Sequence, residues 1–90
     1  MAYFVVNYDL KENDNYEVLI KEIERLQGVR ALESFWLIDL NNTAEELRDH
    51  FKQFLPSPEQ DKLMVVEFSV RPRFTRAFSA AVDWIRSRFG

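Results

Sequence analysis

The carboxylate of Asp9 is the side chain in this sequence whose type and position are best suited to chemistry. It follows an apolar run at residues 3–8 and precedes a polar turn, and an aspartate at the end of a buried strand tends to face solvent at the edge of a sheet. Mg²⁺ prefers carboxylate and water oxygens, so Asp9 from each of two copies could hold one such ion across a twofold axis. The structural alternative is that Asp9 caps or hydrogen-bonds the turn at residues 11–15.

The second group of residues that could take part in binding or chemistry is a basic C-terminal segment. Residues 1–69 hold 7 Lys/Arg against 14 Asp/Glu, whereas residues 70–90 hold 5 Arg against 1 Asp. Arginines interleaved with an aromatic side chain, here Phe74, have the composition of a contact to a nucleic-acid backbone. The alternative is a cationic helix that docks on its own acidic body. The arginines are Arg71, Arg73, Arg76, Arg86 and Arg88.

Few other polar residues carry a specific signal. Ser34 interrupts an apolar run and either contacts a phosphate or a metal-bound water, or marks the bend between two strands. Glu33 and Glu67 belong to an exposed sheet face or pair with Arg30 or Arg71. With no cysteine and one histidine, expected at a helix surface or boundary, Cys–His nucleophiles and His-rich metal sites are excluded within one chain. Two glycines cannot build a Gly-rich phosphate loop.

Aromatic residues are unusually frequent, at 14% of 90 residues. A domain of this size has little interior room for so many large side chains, so some are expected in an interface and a homodimer is predicted. Trp36, Trp84 and Phe89 are the aromatic side chains that we expect to be exposed and to form a protein interface.

Apolar runs without breakers predict the strands. Residues 3–10 and 63–70 each read as one strand, rich in β-branched and aromatic side chains. The run at residues 29–40 predicts either two short antiparallel strands or one long bent strand, with the break near Glu33-Ser34.

Apolar side chains at spacings of three and four predict three helices. The first is capped by Asp14 or Asn15 and ended by Gly28. The second opens with a capping box, in which Thr43 is the N-cap and Glu46 lies three residues on. The third runs from about residue 74 to 89, with Trp84 off its apolar stripe. That stripe is formed by Phe74, Phe78, Ala81, Val82, Ile85 and Phe89.

The order of these elements, β-α-β(β)-α-β-α, predicts an α+β fold. One sheet with helices on one face is expected, as a ferredoxin-like βαββαβ sandwich with an additional C-terminal helix. Residues 1–90 form one domain, with a core at about 3–70 and a basic amphipathic helix at about 74–89. Without cysteine, a leader pattern or a membrane-length apolar stretch, the sequence predicts a cytoplasmic protein with no membrane partner.

Several segments resemble a known family. The opening Tyr-Phe-Val-Val-Asn-Tyr-Asp-Leu resembles the first strand of the small CRISPR-associated spacer-adaptation nucleases of the Cas-two type, which typically ends in Tyr-Asp-Ile or Tyr-Asp-Leu. The segment 32–37 is similar to that family's second-strand pattern, in which a serine precedes hydrophobic residues. The helix opening at 43–47 and the strand at 61–67 follow in the same order. Ala80-Ala81-Val82-Asp83-Trp84-Ile85 is most similar to the family's stand-alone SinR-like branch.

The resemblance implies a ferredoxin-like homodimer that associates with DNA or RNA. Asp9 of each subunit would be both metal ligand and catalytic residue around one Mg²⁺ or Mn²⁺ ion, and no other cofactor is expected. Whether metal-dependent endonuclease activity is retained or lost stays open. The alternative function is a non-enzymatic dimeric protein-interaction module, as in a phage or defence-associated accessory protein. A small-molecule sensor ranks third, because no ligand pocket is marked in the sequence.

Overall fold

Seven elements of secondary structure are present in the computed structural model, which describes residues 1–11 and 16–90. Asp14 and Asn15, the predicted caps of the first helix, lie outside the described residues. The elements are β1 (Ala2–Asp9), α1 (Tyr16–Arg25), β2 (Val29–Leu32), β3 (Phe35–Leu40), α2 (Ala44–Lys52), β4 (Lys62–Phe68) and α3 (Ser79–Phe89).

The strands form one antiparallel sheet in the order β2-β3-β1-β4, which confirms the α+β class. β1 pairs with β3 on one side and with β4 on the other, and β2 pairs with β3. The run at residues 29–40 is therefore two antiparallel strands, joined by a turn at Glu33-Ser34. Because β1 and β2 both run opposite to β3, their C-terminal ends lie at the same end of the sheet.

One face of the sheet packs against α1 and α2. Side chains alternate along β1, so Phe4 and Val6 point to this face and are fully buried. Ile23 of α1 and Phe51 of α2 join them in one hydrophobic cluster. The periodic apolar stripes of both helices thus bury against the same set of strand side chains.

The helix α3 covers the opposite face of the sheet. Tyr3 and Val5, the other set of side chains on β1, pack against Trp84 and Ile85 of α3. The prediction that the two helices between the strands cover one face of the sheet is confirmed. The additional C-terminal helix supplies the covering layer for the odd-numbered apolar residues of β1. With α3 in place, the central strand is covered on both faces.

The third helix begins later than predicted. Residues 74–78 are not helical, and α3 starts at Ser79. The amide of Phe78 donates a hydrogen bond of 3.1 Å to the carbonyl of Ala31, so the chain is held against the free edge of β2 before the helix begins. Phe74 and Phe78 are consequently exposed and do not belong to the buried stripe of α3.

The caps of the first two helices differ in how well local sequence predicts them. The capping box of α2 is confirmed, with hydrogen bonds from Glu46 N to Thr43 Oγ1 (3.1 Å) and from Thr43 N to Glu46 Oε1 (2.9 Å). After α1, however, Gln27 and not Gly28 adopts the left-handed conformation, with φ of 68°. Gly28 is required for space: a Cβ there would lie 2.5 Å from Cγ2 of the buried Ile23.

This arrangement predicts opposite effects for two neighbouring substitutions. Gln27→Gly should stabilise the protein by about 0.5 kcal/mol, because glycine adopts positive φ without a Cβ penalty. Gly28→Ala should destabilise it by roughly 1–3 kcal/mol, because the added methyl overpacks against Ile23. Urea unfolding of both variants measures the difference. Equal destabilisation by the two changes would contradict this description of the helix end.

Candidate functional site

The residues best placed for chemistry surround a cleft at the end of the sheet where β1 and β2 finish. Asp9 closes β1, Glu33-Ser34 forms the β2–β3 turn, and Tyr16 opens α1. The topology brings these parts together because the carboxyl ends of β1 and β2 lie at this end of the sheet. The cleft has a volume of about 370 Å³ and is lined by Asn7, Tyr8, Asp9, Tyr16, Ile20, Arg30, Glu33 and Ser34.

Asp9 and Ser34 are both present in this cleft, in different environments. The Asp9 side chain is exposed, and no described residue donates a hydrogen bond to its carboxylate. The nearby amide of Lys11 donates instead to Oδ1 of Asp61, at 2.8 Å. Ser34 Oγ donates to Oδ1 of Asn7 at 3.3 Å, so the serine lies in the turn and contacts β1. Ser34 therefore has the structural role of marking the bend between two strands.

Arg30 is a residue of this cleft that sequence reasoning did not place in a site. Its guanidinium carbon lies 4.9 Å from the centre of the Trp36 ring, and its Nε atom is buried without a hydrogen-bond partner in the described chain. It forms no ion pair with Glu33 or with any other described residue. The available sequence signal was a lone cation within an otherwise apolar strand. An unpaired guanidinium beside a cleft can bind an anion.

The oxygen atoms of the cleft suit a hard cation, although they do not form a complete cage. Within residues 1–11 and 16–90, no group of three or more His, Asp and Glu side chains is placed to hold a metal ion. Asp9 and Glu33 supply two carboxylates to the same cleft. Mg²⁺ commonly keeps several waters and takes one or two carboxylates, so the carboxylates of this cleft are of the chemical type that such an ion takes.

The five C-terminal arginines are not equivalent. Arg88 forms a partly buried ion pair with Asp39 at 2.5 Å and lies 4.3 Å from the Trp84 ring centre, so it ties α3 to β3. Arg71 donates to the carbonyl of Gly90 at 3.3 Å. The other three, Arg73, Arg76 and Arg86, are exposed and form no ion pair with a described residue. The ion pair of Arg88 is the contact expected if the C-terminal helix docks on the acidic body of its own chain, and nucleic-acid binding by Arg88 stays a prediction.

The expected exposure of Trp36 and Trp84 was wrong. Trp36 and Trp84 are 2% and 5% exposed, and Phe89 is half-buried. Trp36 donates from Nε1 to the hydroxyl of Tyr8 at 3.0 Å in the first core. Trp84 and Phe89 pack with Tyr3 and Phe68 between α3 and the sheet, with ring centres 5.1–6.2 Å apart. Because α3 covers the second face of the sheet, the Trp84 and Phe89 rings pack within one chain.

A buried carboxylate lies away from the cleft, between α1 and α2. Glu22 accepts hydrogen bonds from Nε and Nη2 of Arg25 at 2.8 and 2.6 Å and lies 2.6 Å from Nε2 of His50. Because a carboxylate only accepts, that nitrogen carries the hydrogen. The hydrogen bonds from Arg25, aided by His50 and opposed by burial, lower the pKa of Glu22 from 4.5 to about 2. This cluster joins the two helices through the Glu22 carboxylate.

No protein-family model matches this chain, and no solved structure matches it. None of the helices in the described part of the chain has both the length and the apolarity needed to cross a bilayer. The function proposed below therefore depends on the chain's own residues.

The Glu22 cluster predicts a pH-dependent contribution to stability. Glu22→Gln should lower the free energy of unfolding at pH 7 by roughly 1.5–3 kcal/mol, because charge-assisted hydrogen bonds are lost. A carboxyl whose pKa falls on folding stabilises fully above its unfolded value of about 4.5, and this contribution disappears as the pH falls toward 2. The difference in the free energy of unfolding between the wild type and the variant should therefore decrease from pH 5 to pH 2.

Denaturant unfolding across that pH range, with the exposed Glu24→Gln as the control, makes the measurement. A gap that stays constant from pH 7 to pH 2 would exclude an ionised Glu22 as the link between the helices.

Proposed function

We propose that this chain is a homodimeric, cytoplasmic, nucleic-acid-associated protein with a ferredoxin-like fold, resembling the CRISPR adaptation-type metal-dependent endonucleases. The fold proposal is supported by the element order β-α-β-β-α-β-α together with the sheet order β2-β3-β1-β4. In a split β-α-β arrangement, β3 inserts between the two parallel strands β1 and β2, as it does here.

The observation that carries the functional proposal is the cleft that Asp9 shares with Arg30. A carboxylate that holds a cation and a guanidinium that binds an anion are together the groups required to receive a phosphodiester. The Arg30 side chain is preorganised, because its guanidinium lies over the Trp36 ring. Since Arg30 forms no ion pair with a described residue, its guanidinium is available to a phosphate oxygen in this proposal.

Asp9 from each of two copies would hold the Mg²⁺ or Mn²⁺ ion, with water molecules as its other ligands. When bound, such an ion supplies charge stabilisation for phosphate oxygens and lowers the pKa of a water molecule. The chain's own residues position the substrate: Arg30 binds the phosphate, and the fixed turn at Ser34 sets the width of the cleft.

The three exposed arginines would add phosphate contacts outside the cleft. Arg73, Arg76 and Arg86 form no ion pair with a described residue, unlike Arg88, which Asp39 neutralises. Phosphate contacts of this kind give affinity that falls steeply with added salt.

A different observation favours the alternative, a non-enzymatic dimeric protein-interaction module. Strand β4 lies at the edge of the sheet, and two of its apolar side chains are exposed: Met64 at 65% and Val66 at 47%. An uncovered edge strand with exposed apolar side chains can pair with another chain. In this alternative, a partner contacts β4 and the cleft at Asp9 has no role.

Asp9→Asn should separate cleavage from binding. We expect metal-dependent cleavage of DNA or RNA to fall by roughly 100-fold or more, because the ion loses its carboxylate, while nucleic-acid binding is retained. Cleavage and binding are measured with single- and double-stranded DNA and RNA, with and without Mg²⁺ or Mn²⁺. Asp83→Asn is the matched control, since Asp83 is exposed on α3, far along the chain from the cleft.

Binding without cleavage in the wild type would support the association with nucleic acid and contradict the endonuclease activity. Neither binding nor cleavage at low salt would contradict the proposal and favour the interaction module.

Arg30→Gln should weaken nucleic-acid binding across all sequences. Loss of one phosphate contact is expected to reduce the slope of log K against log salt by about 1. The exposed Arg48→Gln is the control, because Arg48 is already paired with Asp49 at 2.7 Å. If the slope of log K against log salt is the same for Arg30→Gln, Arg48→Gln and the wild type, Arg30 is not a phosphate ligand.

A further inference from the structure

The segment between β4 and α3, residues 69–78, has an unusual surface. It contains neither helix nor strand in the described chain, yet both of its ends are anchored. Arg71 donates to the carbonyl of Gly90, and the amide of Phe78 donates to Ala31. Between these anchors Phe74 and Phe78 are 40% and 49% exposed. Large aromatic side chains exposed beside unpaired arginines commonly belong to a binding surface.

A second cleft lies where this segment meets the β2–β3 hairpin. Its volume is about 330 Å³, and it is lined by Ala31, Leu32, Glu33, Arg76, Ala77 and Phe78. The walls are apolar apart from one guanidinium and one carboxylate. Phe78 contributes an aromatic ring, and the side chain of Leu32 is itself 49% exposed.

These groups match the parts of a single nucleotide. A nucleobase stacks on an aromatic ring whatever its sequence, and an arginine binds the phosphate attached to it. A carboxylate accepts hydrogen bonds from a base that carries an exocyclic amine, such as N4 of cytosine. In a duplex, neither the base face nor the Watson–Crick edge is available to such a cleft.

We propose that this second cleft binds one unpaired nucleobase, with Phe78 stacked on the base, Arg76 on its phosphate and Glu33 on an exocyclic amine. The inference rests on the proposed nucleic-acid function and specifies its substrate class as single-stranded, with a preference for cytosine over thymine or uracil. The positive charges of Arg76 and of the exposed Arg73, three residues earlier in the chain, complement the phosphate backbone of that strand.

The two clefts share one lining residue. Glu33 lines both the second cleft and the cleft that contains Asp9. In this proposal, a strand whose base occupies the second cleft passes Glu33 and extends toward Asp9 and Arg30. The second cleft therefore selects the strand, and the first receives its phosphodiester.

The test is fluorescence anisotropy at about 50 mM salt with labelled oligonucleotides of about twelve nucleotides: oligo-dC, oligo-dT, their RNA counterparts and a mixed-sequence duplex. We expect the wild type to bind single strands more tightly than the duplex. Phe78→Ala should weaken single-strand binding by about ten-fold and leave duplex binding unchanged, since stacking on one base is lost. Phe74→Ala, which alters an exposed ring outside the cleft, is the matched control.

Two further variants complete the test. Phe78→Leu keeps an apolar side chain at the start of α3 but removes the ring, so it replaces Phe78→Ala if that variant does not fold by circular dichroism. Glu33→Gln should abolish the preference for oligo-dC over oligo-dT, because its amide also donates to thymine O4. Comparison of the affinities for DNA and RNA shows whether the 2′-hydroxyl contributes to binding.

The outcomes distinguish this inference from the function on which it rests. Equal binding of single strands and duplex, with no selective effect of Phe78→Ala or Phe78→Leu, would overturn the base-binding cleft and leave the nucleic-acid function in place. Absence of binding to every oligonucleotide would overturn both. A selective loss for single strands that Phe74→Ala does not reproduce would support the cleft.

Discussion

Burial of β1 on both faces is the constraint on which the rest of the structure depends. The strand lies between β3 and β4, and its side chains alternate, so two separate sets of apolar residues need a covering layer. Phe4 and Val6 are covered by α1 and α2, and Tyr3 and Val5 by α3. The central position of β1 also fixes where it ends, and so places Asp9 beside the β2–β3 turn.

The position of α3 decides which groups remain for function. By covering the second face, α3 removes Trp84 from the surface and uses Arg88 to pair with Asp39. The segment that leads to α3 must cross from the edge strand β4 to the opposite edge at β2, where the amide of Phe78 binds Ala31. That crossing leaves arginines and phenylalanines on the surface beside the hairpin. In the function proposed here, one constraint on packing thus produces both the cleft at Asp9 and the cleft at Phe78.

Features set by neighbouring residues could be predicted from the sequence, and features set by distant ones could not. The capping box at Thr43 depends on four consecutive residues and was predicted correctly. The Glu33-Ser34 break was located, although two strands and one bent strand could not be distinguished before the pairing of Arg30 with Trp36 was known. The start of α3 was missed because a hydrogen bond to Ala31, distant in sequence, competes with local periodicity. Arg30 was missed as a site residue because only cross-strand pairing places it over the Trp36 ring.

The central claim is that the cleft at the end of β1 binds a divalent cation beside a phosphate, and paramagnetic NMR tests it most directly. Mn²⁺ is titrated into ¹⁵N-labelled protein, wild type and Asp9→Asn, and amide line broadening is followed residue by residue. The account predicts broadening that is strongest at Asn7–Asp9 and Glu33-Ser34 in the wild type and is lost in Asp9→Asn. Broadening centred on Asp39 or Asp61, or the same pattern in both proteins, would contradict it.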